Sequence, residues 1–195
     1  HGQETIADKI FFPGTPTCIS TSMDSQSLYI GLKEDYFIEY NLSHGTQAKY
    51  ELPAEFDGVK KYKIYQLYFN EFLVSNRNRG VLYVRYSTPA DSNSVYNLEK
   101  YVYLSSETTE DIIPKKGLNY SAYNIERCDD ILFVGTSNGL MYIDRNLLDS
   151  IRYIAGNNSK IEVPYYKSLR NLRQHKMQFA IEDLIVSKDH KKIIA

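Results

Sequence analysis

Ile131-Leu132-Phe133-Val134-Gly135-Thr136-Ser137-Asn138-Gly139-Leu140-Met141-Tyr142-Ile143-Asp144 decides the fold of this chain. Two apolar, β-branched runs flank a Ser-Asn-Gly corner, so the segment predicts strand, tight turn, strand. Gly139 supplies the φ > 0 position that such a turn needs and that β-branched residues resist. Weaker copies occur at Leu28 to Leu32 and Phe72 to Asn76, and a fourth begins at Lys192 to Ala195. Their central β-branched residues lie 44 residues apart from Ile30 to Val74, then 60 from Val74 to Val134 and 60 from Val134 to Ile194.

A recurring unit of about 40 to 50 residues that contains only strands is the spacing of β-propeller blades, here lengthened by inserts. The expected fold is therefore all-β: an incomplete propeller arc over residues 1–195, with three four-stranded blades and the start of a fourth. The first blade spans 17–52, with strands Thr17 to Ser22, Ser27 to Lys33, Tyr36 to Leu42 and Gln47 to Leu52. The second spans 62–104, with strands Tyr62 to Phe69, Glu71 to Arg77, Val81 to Ser87 and Ser94 to Leu104. The third spans 120–156, with strands Ser121 to Arg127, Ile131 to Thr136, Leu140 to Asp144 and Ile151 to Ala155. Residues 181–195 hold an incomplete fourth, with strands Asp183 to Ser187 and Lys192 to Ala195. Thr5 to Phe12 is expected to be a ring-closing strand, and Lys167 to Lys176 a surface helical turn. Imperfect alternation in these strands is what burial of both sheet faces produces.

Composition narrows the function. A net charge of −1 argues against a general nucleic-acid or anionic-membrane binder, which needs a clustered excess of Lys and Arg. Eighteen Tyr and no Trp favour strands, because the ring fits a pleated surface; such rings also suit the C–H face of a sugar. Cys18 and Cys128 permit one bridge but do not make a disulfide scaffold. The first residue is His1, consistent with a processed or trimmed chain.

No catalytic constellation emerges. His44, His175 and His190 lie in polar turns without metal-ligand spacing, so no metal and no cofactor are expected. Paired carboxylates such as Glu34-Asp35 and Asp129-Asp130 are neighbours, and neighbours on a strand point to opposite faces. Gly135 to Gly139 joins strand to strand and lacks the Lys of a phosphate loop. Ligand contacts are instead expected on the rim formed by the corners between second and third strands. There Arg77, Asn78 and Arg79, with Ser137 and Asn138, are the candidate binding residues, since a guanidinium offers a planar fork of donors.

Leu132 to Leu140 resembles the two-component regulator propeller repeat, whose usual form is Leu-Trp-Ile-Gly-Thr followed by Asn-Gly-Leu and a Tyr-Asp pair. Phe133 stands at the Trp position and Ile143-Asp144 at Tyr-Asp; Leu28 to Gly31 with Tyr40-Asn41 repeats the pattern, and Val74 and Gly80 keep part of it. Gly156-Asn157-Asn158-Ser159 resembles the link between blades. The resemblance implies the periplasmic sensor region of a hybrid histidine kinase from polysaccharide-degrading gut bacteria, cut within its fourth blade. It further implies a non-enzymatic domain that binds an oligosaccharide and works as a homodimer in the full-length receptor. An interaction scaffold with a protein partner and no small ligand is the alternative.

Overall fold

The computed structural model describes residues 10–54, 56, 62–77, 80–88, 95–106, 121–155, 161–163, 180–189 and 191–194. The chain is mostly β, built from successive antiparallel meanders, and no sheet closes on itself among the described residues. The first meander is β1 (Pro16–Thr21), β2 (Ser27–Leu32), β3 (Tyr36–Asn41) and β4 (Gln47–Glu51). The second is β5 (Tyr62–Tyr68), β6 (Glu71–Asn76), β7 (Gly80–Tyr86) and β9 (Leu98–Ser106), with the short β8 (Val95–Tyr96) between its last two strands. The third is β10 (Ala122–Cys128), β11 (Ile131–Thr136) and β12 (Gly139–Ile143), followed by α1 (Arg145–Ile154) and β13 (Ile161–Val163). A two-stranded pair, β14 (Ile185–Val186) and β15 (Ile193–Ile194), comes last.

The turns follow local chemistry. Gly45, Gly80 and Gly139 take φ of 66°, 74° and 112° at their corners, and Ser25 and Asp129 enter the same region at 58° and 52°. Asp and Asn hold such corners through their side chains: Asn41 Oδ1 accepts from the Ser43 and His44 N–H groups. Thr136 Oγ1 donates to the Gly139 carbonyl at 2.7 Å and locks the β11–β12 turn.

The sheets stack face to face, which explains the weak alternation. On β6 and β7, Phe72, Val74, Leu82 and Val84 face the first meander. Leu73, Val81 and Tyr83 face the third, where they meet Ile125, Leu132, Val134 and Met141. Both faces of the second sheet are thus buried. The first interface is aromatic: Phe37 stacks on Tyr50 at 4.8 Å, Tyr96 stacks on its other side at 4.3 Å, and Phe72 and Tyr86 meet Tyr50 edge-on. Each such pair adds about 0.5–1.5 kcal/mol beyond its buried area. Two of the hydroxyls there are satisfied, Tyr50 by Glu39 at 2.7 Å and Tyr86 by the Glu51 carbonyl at 2.8 Å. Much of the Tyr excess is therefore packing.

Beyond the third sheet, Phe133 and Leu140 pack on Ile181 and Leu184 ahead of the last pair. The 181 segment runs so close to β11 that a Cβ on Gly135 would sit 2.5 Å from the Ile181 carbonyl oxygen. Neighbouring units also meet through their first strands, β1 beside β5, β5 beside β10, and β10 beside β14.

Three expectations are corrected. Ile151 to Ala155 is not a strand but the end of α1, so the third meander has three strands among the described residues. Asp144 caps the helix, its carboxylate accepting from the Leu147 N–H at 2.8 Å. Leu147, Leu148 and Ile151 share its packed face, a helical rather than alternating spacing. The span Ser94 to Leu104 is likewise not one strand. It divides at Asn97 into β8, which adds in parallel to β4 of the first sheet, and β9, which pairs with β7 of the second. β13 does for β9 what β8 does for β4, so the outer edges of the first and second sheets are each covered by a parallel strand from the following unit. Residues 10–12 are not strand; the rest of the predicted Thr5 to Phe12 strand and the turn at 167–176 fall outside the described residues. Cys18 and Cys128 are not bridged to each other.

Candidate functional site

The meanders have two ends, and polar side chains gather at both. At the end where β5 and β10 begin lie the corners singled out from the sequence. Arg77 is exposed, with its guanidinium 5.3 Å from the centre of the Tyr123 ring at the start of β10. The Ser121 N–H, two residues earlier, donates to Ser137 Oγ at 3.0 Å, while the Asn138 N–H donates to Thr136 Oγ1 at 3.1 Å. Arg77 and the Ser137-Asn138 corner thus flank the start of β10. Asn78 and Arg79 lie outside the described residues.

At the opposite end, where β5 and β10 finish, a cleft of about 250 Å³ opens between the second and third units. Tyr65 and Tyr68 come from β5, Arg127 and Asp130 from the β10–β11 hairpin, and Arg145, Leu148 and Arg152 from α1. The helix forms one wall because its last turn is anchored across the cleft. Arg152 Nε donates to Glu71 Oε2 at 2.7 Å, and its guanidinium covers the Tyr68 ring at 4.0 Å. The pair is largely shielded, with side chains 22% and 13% exposed. Burial works against the Arg152 charge, yet the Glu71 hydrogen bond and charge outweigh it and raise the guanidinium's pKa further. Beneath them burial raises the Tyr83 phenol, reinforced by the Glu71 charge, so it stays a neutral O–H.

The remaining cations are more open. Arg127 Nε donates to the Asp129 carbonyl at 2.8 Å, and its fork lies 3.5 Å from Asp130, an exposed contact of little energetic weight. Arg145 is exposed and makes no ion pair among the described residues. The floor is apolar, from Leu132, Ile143 and Leu148.

A second cleft of about 410 Å³ continues along the first strands, lined by Ser20 to Met23 of β1 and its hairpin, Lys63 to Gln66 of β5, and Ile125 and Glu126 of β10. Met23, Tyr65 and Gln66 line both clefts. The Met23 N–H donates to Gln66 Oε1 at 3.0 Å and ties the β1 end to β5 there. Partial burial raises the Glu126 carboxyl above the usual range; Lys63 opposes that shift and Asp183 adds to it.

Among the described residues no group of His, Cys, Asp and Glu is placed to hold a metal ion, and no helix is long and apolar enough to cross a membrane. No family model matches the chain, and a search of the curated proteins returned no match. Reading Ile151 to Ala155 as strand hides the helix residues of the cleft from the sequence. The signal was there: Asp144 ahead of Leu147, Leu148 and Ile151 is an N-cap before a helical stripe.

Proposed function

We propose that this chain is a non-enzymatic ligand-binding region built as an arc of β-propeller blades, the periplasmic sensing part of a hybrid histidine kinase, and that its ligand is a glycan fragment. The blade reading is supported by four successive antiparallel units stacked face to face with their first strands side by side. The ligand reading rests on one observation, the composition of the cleft between the second and third units. Guanidinium donors from Arg127 and Arg145, a carboxylate acceptor from Asp130 and the half-exposed ring of Tyr68 converge over an apolar floor. A polyol needs that combination: donors and acceptors for its hydroxyls and a flat apolar surface for its C–H face.

Signalling requires more than affinity. A bound fragment shifts a receptor only if it favours one arrangement of its parts over another. The cleft fits that requirement because its walls come from different units, the helix of the third and β5 of the second. Calorimetric titration of the chain with a panel of neutral and acidic oligosaccharides tests the reading. Binding abolished by Tyr68→Ala supports it, and heats indistinguishable from dilution across the panel overturn it.

A protein-binding scaffold is the second reading, favoured by the exposed apolar tips Met23 and Phe69 on the same rim, 59% and 68% exposed. Phe69→Ser separates the two. It leaves saccharide affinity intact if the cleft holds the ligand, and it removes partner binding if the tips do.

A further inference from the structure

The two clefts are contiguous, and their shared residues set a length. Lys63 and Tyr68 mark the ends of the path along β5, and at a strand's rise of about 3.4 Å per residue that path is about 17 Å. A single sugar ring does not span it. The path is amphipathic along its course, with Ser20, Gln66 and Glu126 beside Ile19, Met23 and Ile125, the mixture that a sugar chain's hydroxyls and C–H faces require.

Its ends differ in charge. At the α1 end, Arg145 makes no ion pair among the described residues, and Arg127, whose Nε donates to the Asp129 carbonyl, has its remaining fork against the exposed Asp130 carboxylate, so Arg145 and the outer side of Arg127 are open to an incoming anion. Of the acids at that end, Asp144 caps α1, Glu71 holds Arg152 and Asp130 lies against Arg127, so Arg145 is the cation left for a ligand anion. At the far end Lys63 and Glu126 stand across from each other, a donor and an acceptor whose charges oppose. One end therefore prefers an anion and the other a neutral polar group.

We infer that the two clefts form one trough for a linear oligosaccharide of several units, bound with a carboxylate- or sulfate-bearing sugar at the Arg127–Arg145 end and uncharged rings running along β5 toward Lys63. The inference rests on the glycan reading and adds chain length, polarity and direction to it. Tyr65 and Gln66 lie at the midpoint, where a ring passing between the clefts meets both.

The test is calorimetry on the full chain with uronate oligosaccharides and chondroitin-type sulfated oligosaccharides, each from monomer to tetramer, with the methyl esters of the uronates and neutral oligosaccharides of matching length as controls. Affinity rises with length and falls about tenfold or more on esterification or desulfation, as expected for loss of a charge-assisted hydrogen bond. Arg145→Gln weakens every acidic ligand about tenfold, whereas Lys63→Gln weakens the longer ones and leaves the monomer unchanged. Both side chains are at the surface or half-buried, so these variants fold, and circular dichroism confirms it. Saccharide binding that is independent of length, or equal for acid and ester, overturns the trough while leaving the glycan reading standing. Equal loss of monomer and tetramer affinity in Lys63→Gln overturns the assigned direction. Absence of binding by every saccharide, charged or neutral, removes both.

Discussion

The Arg152–Glu71 pair is the joint on which the cleft depends, and its contribution follows from its geometry. A fully buried pair costs about 3–5 kcal/mol when one partner is removed, because the other charge is left uncompensated. Side chains 22% and 13% exposed retain some water, and Arg152 keeps its second contact, to Asp149 at 3.3 Å, so the expected cost of Glu71→Gln falls to about 2 kcal/mol. Arg152→Met loses the same pair and also the contact with the Tyr68 ring at 4.0 Å, so it costs more by about 0.5–1 kcal/mol. In a chain of this size each kcal/mol lowers the unfolding midpoint by about 2–4 °C, so each single variant melts about 4–8 °C or more below the parent. The decisive measurement is the double-mutant cycle, by urea unfolding followed by circular dichroism. A coupling of about 1.5 kcal/mol is expected, since the second change removes a partner already lost. Additivity within about 0.5 kcal/mol would refute the reasoning and detach α1 from the second sheet as a functional wall.

Three other perturbations test separate parts of the structure. Gly135→Ala places a methyl 2.5 Å from the Ile181 carbonyl oxygen and forces backbone apart, so destabilisation of about 1–3 kcal/mol is expected in chemical unfolding, and a neutral result would contradict the close approach. On α1, Ile151→Ala empties a fully buried site and costs about 2–4 kcal/mol and Asp144→Ala loses the cap for about 1 kcal/mol, whereas Tyr153→Ala, at a position 90% exposed, stays within about 0.5 kcal/mol; equal effects for Ile151 and Tyr153 would restore the strand assignment. Glu126 has a folded-state pKa raised above its ordinary 4.5 by desolvation, so folding disfavours its charge: Glu126→Gln stabilises the protein at pH 7, and the advantage vanishes below about pH 4, where both states carry the proton. A variant equally stabilised at both pH values would show that desolvation of the carboxylate is not the cause.

The strand units were legible because they rest on local chemistry. Gly45, Gly80 and Gly139 mark corners that need positive φ, and the apolar runs between them are too short and too β-branched for helices. What escaped was whatever depends on a neighbour in space. Val95-Tyr96 and Leu98 to Ser106 look like one run, yet they serve different sheets, because the open edge of β4 recruits the first and β7 the second. Ile151 and Ala155 fit either an alternating or a helical period over so short a span, and the Asp144 cap decided between them. The binding residues follow the same division. Arg77 and the Ser137-Asn138 corner do converge on one strand start, at Tyr123 and Ser121. The cleft, however, formed at the other end, from a helix and hairpins whose convergence no spacing in the chain encodes.

The most direct test of the proposed cleft is the backbone amide spectrum of isotope-labelled chain titrated with an oligosaccharide. Shifts gathered at Tyr65 to Tyr68, Arg127 to Asp130 and Asp144 to Leu148 are predicted. Shifts gathered instead at Arg77, Ser137 and Asn138, or none at saturating ligand, would contradict it.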